Sequence, residues 1–272
     1  MTIHTALLQG RQLLEAAGIA VPRLTAEVLL AHAVGHNRAW LSAHSDDELR
    51  EVWWIHYGRY LHQRLQGQPT QQITGVQEFY GRDFRVTRDV LIPRPETEHV
   101  IEAALKLGAR NIVDIGTGSG AIAITLALET GAQVTGTDVS LAALRVAAAN
   151  GKKLGAAIQW LACDLANALK GGSFDLVVSN PPYIPARDKA TLQREVRDYE
   201  PEVALFGGED GLEIYRRLIP EAGRLLAPGG WLVMEIGHDL GDAVSNMLVA
   251  WKEVEIQNDL AGLRRVILAR KS

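Results

Sequence analysis

The sequence has 272 residues, enough for a sizeable core and for two domains of ordinary size. Its net charge of −4 disfavours a protein whose affinity comes mainly from neutralising many phosphates. The single cysteine, Cys163, excludes an internal disulfide framework and a multi-cysteine metal site. The chain has no apolar run of membrane-spanning length, and its first residues lack the pattern of a signal peptide. We therefore expect a cytoplasmic protein without membrane contact.

The first 75 residues carry helical patterns and no strand signal. Apolar residues recur at helical spacing between positions 7 and 17, and again between positions 26 and 33. The segment Ser45-Asp46-Asp47-Glu48 has the pattern of a capping box and predicts the start of another helix, which would close near Gly67. Six of the eight histidines lie in this region without the spacing of a zinc motif, so we expect no metal ion. We interpret residues 1–75 as a helical-bundle domain.

Residues 76–95 have the pattern of a short β-hairpin linker. Two extended segments flank the turn residues Tyr80 and Gly81. Downstream, Pro95 suits the first position of a helix, and Glu96 and Glu98 suit the positive end of its dipole. A second domain is therefore expected over residues 96–272.

In residues 96–272 strand and helix patterns alternate. The predicted strands cover Asn111–Ile115, Gln133–Thr137, Ile158–Ala162, Phe174–Ser179, Trp231–Ile236, Val254–Gln257 and Arg264–Ala269. The predicted helices cover Glu96–Leu107, Ala121–Thr130, Leu141–Leu154, Gly211–Leu226 and Leu240–Trp251. This alternation predicts an α/β fold with a doubly wound, mostly parallel, seven-stranded Rossmann-like sheet. Too few residues separate the last two strands for a helical crossover, so those strands should pair antiparallel.

A glycine-rich loop follows the first predicted strand of the sheet. It has the sequence Gly116-Thr117-Gly118-Ser119-Gly120 and directly precedes a helix. Glycines there allow a tight turn and the close approach of a ligand to the backbone, with helix amides facing its anionic groups. The loop also fits the looser dinucleotide fingerprint, because Ala121 stands in its last position. The glycines therefore predict a nucleotide-like ligand without deciding which one.

Acidic side chains follow the next two strands. Asp138 follows the second strand of the sheet. Its separation along the sequence from the glycine loop is that at which an acidic side chain binds ribose hydroxyls in nucleotide-binding folds. Asp164 ends the third strand, where a carboxylate can accept a hydrogen bond from an adenine amine. Because the carboxyl ends of parallel strands share one edge of a sheet, these groups and the glycine loop should line one site.

The fourth strand ends at Asn180-Pro181-Pro182-Tyr183. The two prolines fix their own φ angles and hold Asn180 extended. The Asn180 side-chain oxygen and the Pro181 carbonyl are two neighbouring acceptors, which suit the two hydrogens of an –NH2 group. The flat ring of Tyr183 can pack on a planar amide or base and tolerate a nearby cation. A plain turn after a strand is the alternative for so short a motif.

Together these motifs resemble the HemK-type release factor glutamine methyltransferase family, within the class I S-adenosylmethionine-dependent methyltransferases. The resemblance extends over nearly the whole chain and includes further matching segments: Glu78–Gly81, Leu91–Glu98, Tyr199–Pro201, Ala204–Leu212 and Asp259–Gly262. It implies a methyltransferase-type sheet and S-adenosylmethionine as cofactor, with S-adenosylhomocysteine as product. It further implies transfer of a methyl group to N5 of the glutamine in the Gly-Gly-Gln motif of class-I peptide-chain release factors.

The resemblance also implies roles for individual residues. Gly116, Thr117, Gly118, Ser119 and Gly120 would hold the methionine end of the cofactor, Asp138 its ribose, and Asp164 with Leu165 its adenine. Asn180 would face the methyl group. The substrate glutamine would be bound by Asn180, Pro181, Pro182 and Tyr183, of which Asn180, Pro181 and Tyr183 would take part in catalysis. Two positions depart from the family pattern: Gln72 replaces an aromatic residue, and Leu165 replaces a tryptophan.

Two other functions fit parts of the sequence. An amino-methyltransferase acting on adenine or guanine in RNA or DNA would share the glycine loop and the Asn-Pro-Pro-Tyr motif, but it would need a basic surface. Residues 1–75 contain six arginines, no lysine and six acidic residues, so their formal charges cancel. We therefore expect this domain to dock a protein substrate rather than nucleic acid. A cofactor-binding module without catalysis would have no use for Asn180.

Overall fold

The computed structural model describes residues 1–272 and divides the chain into two compact units. The first unit comprises Met1–Val76 and Gln193–Tyr199, and the second comprises Gln77–Leu192 and Glu200–Ser272. Each unit has an apolar core of its own. None of the helices combines the length and the apolar character that crossing a membrane requires.

Residues 1–75 of the first unit contain helices and no strand, as predicted. Its helices are α1 (Ile3–Ala16), α2 (Pro22–Val34), α3 (Arg38–Ala43), α4 (Glu51–Leu65) and α5 (Thr70–Thr74). Leu29, Leu30, Tyr57 and Leu61 are almost completely buried and form the centre of its core. Helix α2 ends at Gly35, whose left-handed conformation (φ 77°) suits glycine because that region is strained for other residues.

The predicted capping box at Ser45–Glu48 is wrong. Helix α4 begins only at Glu51, and the residue before it, Arg50, makes no side-chain cap. Glu48 forms a β-bridge with Thr2, and the amides of Ile3 and His4 donate to the carbonyls of this segment. Pairing with the amino terminus thus holds the segment in a non-helical conformation, which a local sequence pattern does not reveal.

The second unit begins with the predicted hairpin. Its strands are β1 (Val76–Phe79) and β2 (Arg82–Arg85), and Phe79 and Phe84 pack edge to face with ring centroids 6.0 Å apart. A single 3-10 turn over Pro95–Thr97 then leads into α6 (Glu98–Leu105). The helix predicted over residues 96–107 is therefore shorter than expected, because its first turn is wound more tightly.

Seven strands form one sheet, as predicted. They are β3 (Asn111–Ile115), β4 (Gln133–Asp138), β5 (Ile158–Ala162), β6 (Phe174–Ser179), β7 (Leu226–Glu235), β8 (Lys252–Asn258) and β9 (Arg264–Arg270). Their spatial order is β5-β4-β3-β6-β7-β9-β8. The first five strands of that order run parallel, and β9 runs antiparallel to both β7 and β8. The predicted antiparallel pairing of the last two strands is thereby confirmed.

Helices cover both faces of the sheet. The helices of the second unit that follow α6 are α7 (Ala121–Thr130), α8 (Leu141–Leu154), α10 (Glu213–Leu225) and α11 (Gly241–Met247), whereas α9 (Arg194–Tyr199) lies in a segment of the first unit. Successive residues of a strand belong to opposite cores: Leu176 and Val178 pack in one cluster and Val177 in the other. A strand buried on both faces appears in the sequence as a continuous apolar run, which is why β6 is so evident there.

Helix α9 belongs to the first unit, although it lies more than 110 residues after the rest of that unit in the chain. The buried Arg64 side chain donates to Glu195 at 2.5 Å. The Gln72 amide donates to the carbonyl of Tyr199 at 2.9 Å, and the Tyr199 hydroxyl donates to the carbonyl of Gln66 at 3.0 Å. Gln72 thus has a structural role as a hydrogen-bond donor to α9.

Close packing of a tryptophan against a glycine joins the edge strand β5 to β4. Gly136 and Trp160 are direct partners in the parallel ladder. A Cβ atom added to Gly136 would lie 2.5 Å from Cζ3 of Trp160, well inside van der Waals contact. The indole of Trp160 therefore packs directly against the backbone of Gly136, in the space that a side chain would otherwise fill.

We predict that Gly136→Ala lowers the free energy of unfolding by about 1–3 kcal/mol, because the indole must move from its packed position. Gly223→Ala in α10 is the matched control: its Cβ would lie at an ordinary 3.5 Å from Trp251, and alanine favours a helix interior. Chemical denaturation measures both. Equal stabilities for Gly136→Ala and the wild type would show that the indole is loosely packed.

Candidate active site

A cavity opens at the edge of the sheet where the parallel strands end. It has a volume of about 420 Å³, a size typical of small-molecule sites. It lies where the strand order reverses, since the chain runs outward from β3 to β4 and β5 and then returns to β6 on the other side of β3. Its lining residues come from the strand ends, from nearby loops and from helices α8 and α10: Asp89–Leu91, Ile115, Gly116, Gly118, Asp138–Ser140, Ala143, Asp164, Leu165, Ser179–Pro182, Pro201, Val203, Ala204, Ile214 and Arg217.

Two residues of the glycine loop face this cavity. Gly116 (φ 74°) and Gly118 (φ 54°) line it, and a Cβ atom added to either would meet nothing within 4 Å. Gly120 (φ 83°) has a different role, because a Cβ there would press on Ile124 and Trp160. At Gly116 and Gly118 the missing side chain leaves space for a ligand. At Gly120 it leaves space for the core side chains Ile124 and Trp160.

The other two loop residues point into the protein. Thr117 is buried and donates its hydroxyl hydrogen to Asp114 at 2.6 Å. Ser119 is also buried, and its carbonyl accepts a hydrogen bond from Asn150 at 2.9 Å. Thr117, Ser119 and Gly120 thus shape the loop without lining the cavity.

Asp138 borders the cavity and also holds the glycine loop. One carboxylate oxygen accepts from the Gly118 amide at 2.9 Å, and the other accepts from the Ser140 amide at 2.9 Å. Each oxygen retains a second lone pair for a ligand hydroxyl. The carboxylate is therefore oriented before any ligand arrives.

Asp164 and Leu165 also line the cavity. Asp164 forms an ion pair with Arg217 at 2.5 Å, and both side chains are about half exposed at the cavity. Leu165 has an unusual positive φ of 52°, and its carbonyl accepts from the Thr137 hydroxyl at 2.7 Å. Arg217 was not among the residues predicted from the sequence, because α10 lies far from Asp164 in the chain.

The Asn-Pro-Pro-Tyr segment divides between the cavity and the core. Asn180, Pro181 and Pro182 line the cavity. The Asn180 amide donates to the Thr97 hydroxyl at 3.0 Å, which leaves its carbonyl oxygen without a protein partner. Before it, the Ser179 hydroxyl donates to the carbonyl of Ile115 at 2.7 Å and ties the ends of β6 and β3 together.

Tyr183 does not line the cavity. Its ring packs with the core on one face of the sheet, and its hydroxyl donates to Glu235 at 3.2 Å. Burial, reinforced by the negative charge of Glu235, raises the pKa of the Tyr183 phenol above its usual range. This arrangement differs from the expectation that the ring faces a substrate amide.

Sequence reasoning missed two buried groups behind the Asn-Pro-Pro-Tyr segment. Glu235 ends β7 with only 1% of its surface exposed, and Thr97 donates to it at 2.6 Å. A lone acid in the apolar run Trp231–Ile236 was the available signal for Glu235. Thr97 has no comparable signal. No group of three or more His, Cys, Asp or Glu side chains is arranged to hold a metal ion.

A second buried acid supports the loop that carries Pro201, Val203 and Ala204 to the cavity. Glu200 is buried and accepts from the Ile92 amide at 3.2 Å and from Arg94 at 2.5 Å. The proline-rich segment before α6 is thereby joined to the cavity wall.

Asp114 lies beneath the glycine loop and is completely buried. One of its oxygens accepts from Thr117 and from the Ala123 amide, and the other has no hydrogen-bond partner. Burial raises the pKa of this carboxyl to about 7, against the two hydrogen bonds that favour the charged form. The folded protein therefore holds this proton more tightly than the unfolded chain does.

The contribution of Asp114 to the free energy of unfolding should fall as the pH rises from about 4 to about 7, because the folded state binds the extra proton throughout this window. Each unit of pKa difference contributes about 1.4 kcal/mol. In Asp114→Asn this contribution should disappear, while an amide oxygen still accepts from Thr117. Denaturation curves between pH 4 and pH 8 measure the slope, with exposed Asp83→Asn as control. Parallel pH profiles for wild type and Asp114→Asn would contradict the assignment.

Comparisons with known folds agree with this architecture. A methyltransferase from Pyrococcus furiosus covers 71% of this chain and 91% of its own, with a TM-score of 0.56 at 19% identity. The N-terminal domain of human METTL16, solved with SAH, covers 71% of this chain and 76% of its own, with a TM-score of 0.51 at 19% identity. At this level of identity the similarity concerns the fold alone.

Sequence comparisons are more specific. Family models described as "PrmC N-terminal domain" and "Methyltransferase small domain" match residues 5–75 and 97–197. Proteins named release factor glutamine methyltransferase align along essentially their whole length. The one from Koribacter versatilis is 44% identical over 100% of this chain and 99% of its own, and the one from Moorella thermoacetica is 43% identical over 99% and 98%. With this cavity at the strand ends and this degree of identity throughout, the chain belongs to the release factor glutamine methyltransferase family.

Proposed function

We propose that this chain transfers a methyl group from S-adenosylmethionine to N5 of the glutamine in the Gly-Gly-Gln motif of class-I release factors. S-adenosylhomocysteine is the second product. The observation that carries the proposal is the arrangement of Asn180: its amide donates to Thr97, and its carbonyl oxygen stays free beside the cavity. The names of the full-length relatives support the choice of substrate.

The cavity has the chemistry that S-adenosylmethionine requires. Gly116 and Gly118 leave open space for its methionine end, and Asp138 retains lone pairs for the ribose hydroxyls. Asp164 and Leu165 border the part we assign to adenine, where Leu165 offers apolar packing instead of stacking. Thr117, Ser119 and Gly120 act by shaping the loop. When bound, the cofactor supplies a methyl group activated by an adjacent sulfonium.

The protein's own task is to align a weak nucleophile. An amide nitrogen shares its lone pair with its carbonyl, and correct orientation can lower such a barrier by about 7–11 kcal/mol. The Asn180 carbonyl oxygen and the Pro181 carbonyl accept the two hydrogens of the substrate amide, and Pro182 limits how far the loop can move. These hydrogen bonds strengthen as positive charge develops on the nitrogen, which favours the transition state. The nitrogen then releases one proton to solvent.

We assign Tyr183 a supporting role in this scheme. Its hydroxyl binds the buried Glu235, so the residue anchors the end of the Asn-Pro-Pro-Tyr segment to β7. A phenol whose pKa is raised by burial stays neutral and remains a donor. Tyr183 therefore contributes by holding Asn180 and Pro181 in place.

We further propose a division of labour along the chain: residues 1–75 dock the release factor, residues 76–95 form a hairpin linker, and residues 96–272 carry out methyl transfer. The cancelling charges of residues 1–75 suit a protein partner better than a phosphate backbone. An amino-methyltransferase for adenine or guanine in RNA or DNA is the alternative, and the assays below distinguish it.

Asn180→Ala should reduce methyl transfer about a hundredfold or more, the scale observed when one oriented transition-state hydrogen bond is lost. Cofactor affinity should change little, because the cavity wall otherwise remains intact. Mass spectrometry of the Gly-Gly-Gln peptide measures the reaction, and calorimetry measures cofactor binding. Asn246→Ala, on an exposed surface of α11, is the matched control.

Release factor, ribosomal RNA and DNA should be offered side by side in that assay. Methylation of the release factor alone supports the proposed substrate. Transfer only to nucleic acid would replace it with the alternative function. Wild-type rates in Asn180→Ala would remove Asn180 from the mechanism.

The docking role predicts slower hydrogen exchange in α1–α4 when release factor is added, because binding covers their surface and suppresses local opening. Exchange followed by mass spectrometry locates the protected peptides, and an equal concentration of ribosomal RNA serves as the comparison. Protection confined to residues 96–272 would contradict a docking role for the helical domain.

A further inference from the structure

A chain of buried hydrogen bonds runs behind Asn180. The Asn180 side-chain amide donates to the Thr97 hydroxyl at 3.0 Å, and that hydroxyl donates to one Glu235 oxygen at 2.6 Å. The other Glu235 oxygen accepts from the Tyr183 hydroxyl at 3.2 Å. Thr97 and Glu235 are 5% and 1% exposed, so water does not replace these partners.

The direction of this chain follows from the hydrogens available. A threonine hydroxyl has one hydrogen, whereas an ionised carboxylate only accepts. Thr97 must therefore give its hydrogen to Glu235 and accept from its other neighbour, Asn180. The group of Asn180 that faces Thr97 is then the –NH2, and the carbonyl oxygen is turned away from it.

We propose that Thr97 and Glu235 are positioning residues, which fix the orientation of the Asn180 amide so that its oxygen rather than its –NH2 is presented to the substrate. This inference rests on the proposed function, in which that oxygen accepts a hydrogen from the substrate amide. If the Asn180 amide were inverted, its –NH2 would face the –NH2 of the substrate amide, and two donors cannot form a hydrogen bond with each other. The two residues thus act through Asn180 and touch neither substrate nor cofactor.

The groups around Glu235 make this arrangement sensitive to its charge. The Thr97 and Tyr183 hydroxyls and the cation of Arg265 on β9 favour the carboxylate, while burial and the nearby Glu96 disfavour it. The Tyr215 hydroxyl donates to the Glu235 backbone carbonyl at 2.9 Å rather than to the carboxylate. Burial is the largest of these effects and raises the pKa of Glu235.

Protonation of Glu235 would reverse the chain of hydrogen bonds. When the Glu235 oxygen that faces Thr97 carries the added hydrogen, Glu235 can donate that hydrogen to the Thr97 hydroxyl. Thr97 can then turn its own hydrogen toward Asn180, while the Tyr183 hydroxyl still donates to the other Glu235 oxygen. Asn180 then has to offer its oxygen to Thr97, and its –NH2 would face the cavity.

Thr97→Val is the direct test, because valine keeps the shape and removes the hydroxyl. With Asn180 free to invert, kcat should fall about tenfold, the equivalent of one hydrogen bond, while KM and the cofactor Kd stay within about twofold. Thr97→Ser restores the hydroxyl and should recover most of the rate. Thr125→Val is the matched control, since Thr125 is equally buried in α7 and its hydroxyl has no partner.

The pH profile provides a readout that a loss of packing would not change. In wild type and Thr97→Ser, kcat should decline toward acid pH as Glu235 gains a proton, with a midpoint above the usual carboxyl range of about 4.3. In Thr97→Val this decline should be absent, because Asn180 no longer senses Glu235. A decline of equal size in Thr97→Val would overturn the proposal.

Side-chain amide NMR separates this inference from the proposed function. In protein labelled with ¹⁵N-asparagine, the Asn180 –NH2 signals are those lost in Asn180→Ala. One hydrogen should exchange slowly with solvent in wild type and Thr97→Ser, and rapidly in Thr97→Val. Fast exchange in the wild type would refute the positioning role, whatever substrate is methylated. If no release factor is methylated but the NMR pattern holds, the proposed function fails and the orientation of Asn180 stands.

Discussion

The parallel pairing of β3 with β6 is the constraint on which the site depends. These neighbours run in the same direction, with Asp114 beside Val178, so the glycine loop and Asn180 leave the sheet at one edge. The hydrogen bond from Ser179 to the Ile115 carbonyl extends that pairing to the last residue of the strand. A ligand bound by the loop is therefore next to whatever Asn180 holds, without any movement of the sheet.

Acidic side chains that bind their neighbours, two of them buried, give this edge its rigidity. Asp138 uses both oxygens to hold backbone amides, and Glu200 fixes the proline-rich segment and a cavity wall together. Glu235 binds hydroxyls from two different segments. Removing a charge from water is costly unless donors surround it, so each of these carboxylates orders the groups around it. The result is a site whose polar atoms are oriented in advance, which is the arrangement that catalysis by alignment requires.

Much of the fold could be predicted from the sequence because its signals are local. The apolar run of β6, the glycines after β3 and the alternation of strands with helices each follow from short-range preferences. The ends of elements were less predictable. Residues Ser45–Glu48 have the composition of a helix start, yet a bridge to Thr2 holds them outside the helix. Helix α9 looks like part of the second unit in the sequence, but its hydrogen bonds to Arg64 and Gln72 place it with the first.

By itself, the sequence determined the class of fold, the family, and which strand ends carry a glycine loop, two acids and an amide, because these depend on residue type and order. Only the tertiary structure decided which of those side chains face the cavity. It turned Thr117 and Ser119 inward, paired Asp164 with Arg217, and placed Tyr183 against Glu235. It also brought Thr97 behind Asn180, although 83 residues separate them in the chain. Such contacts arise from the packing of distant segments around one sheet, and no local pattern encodes them.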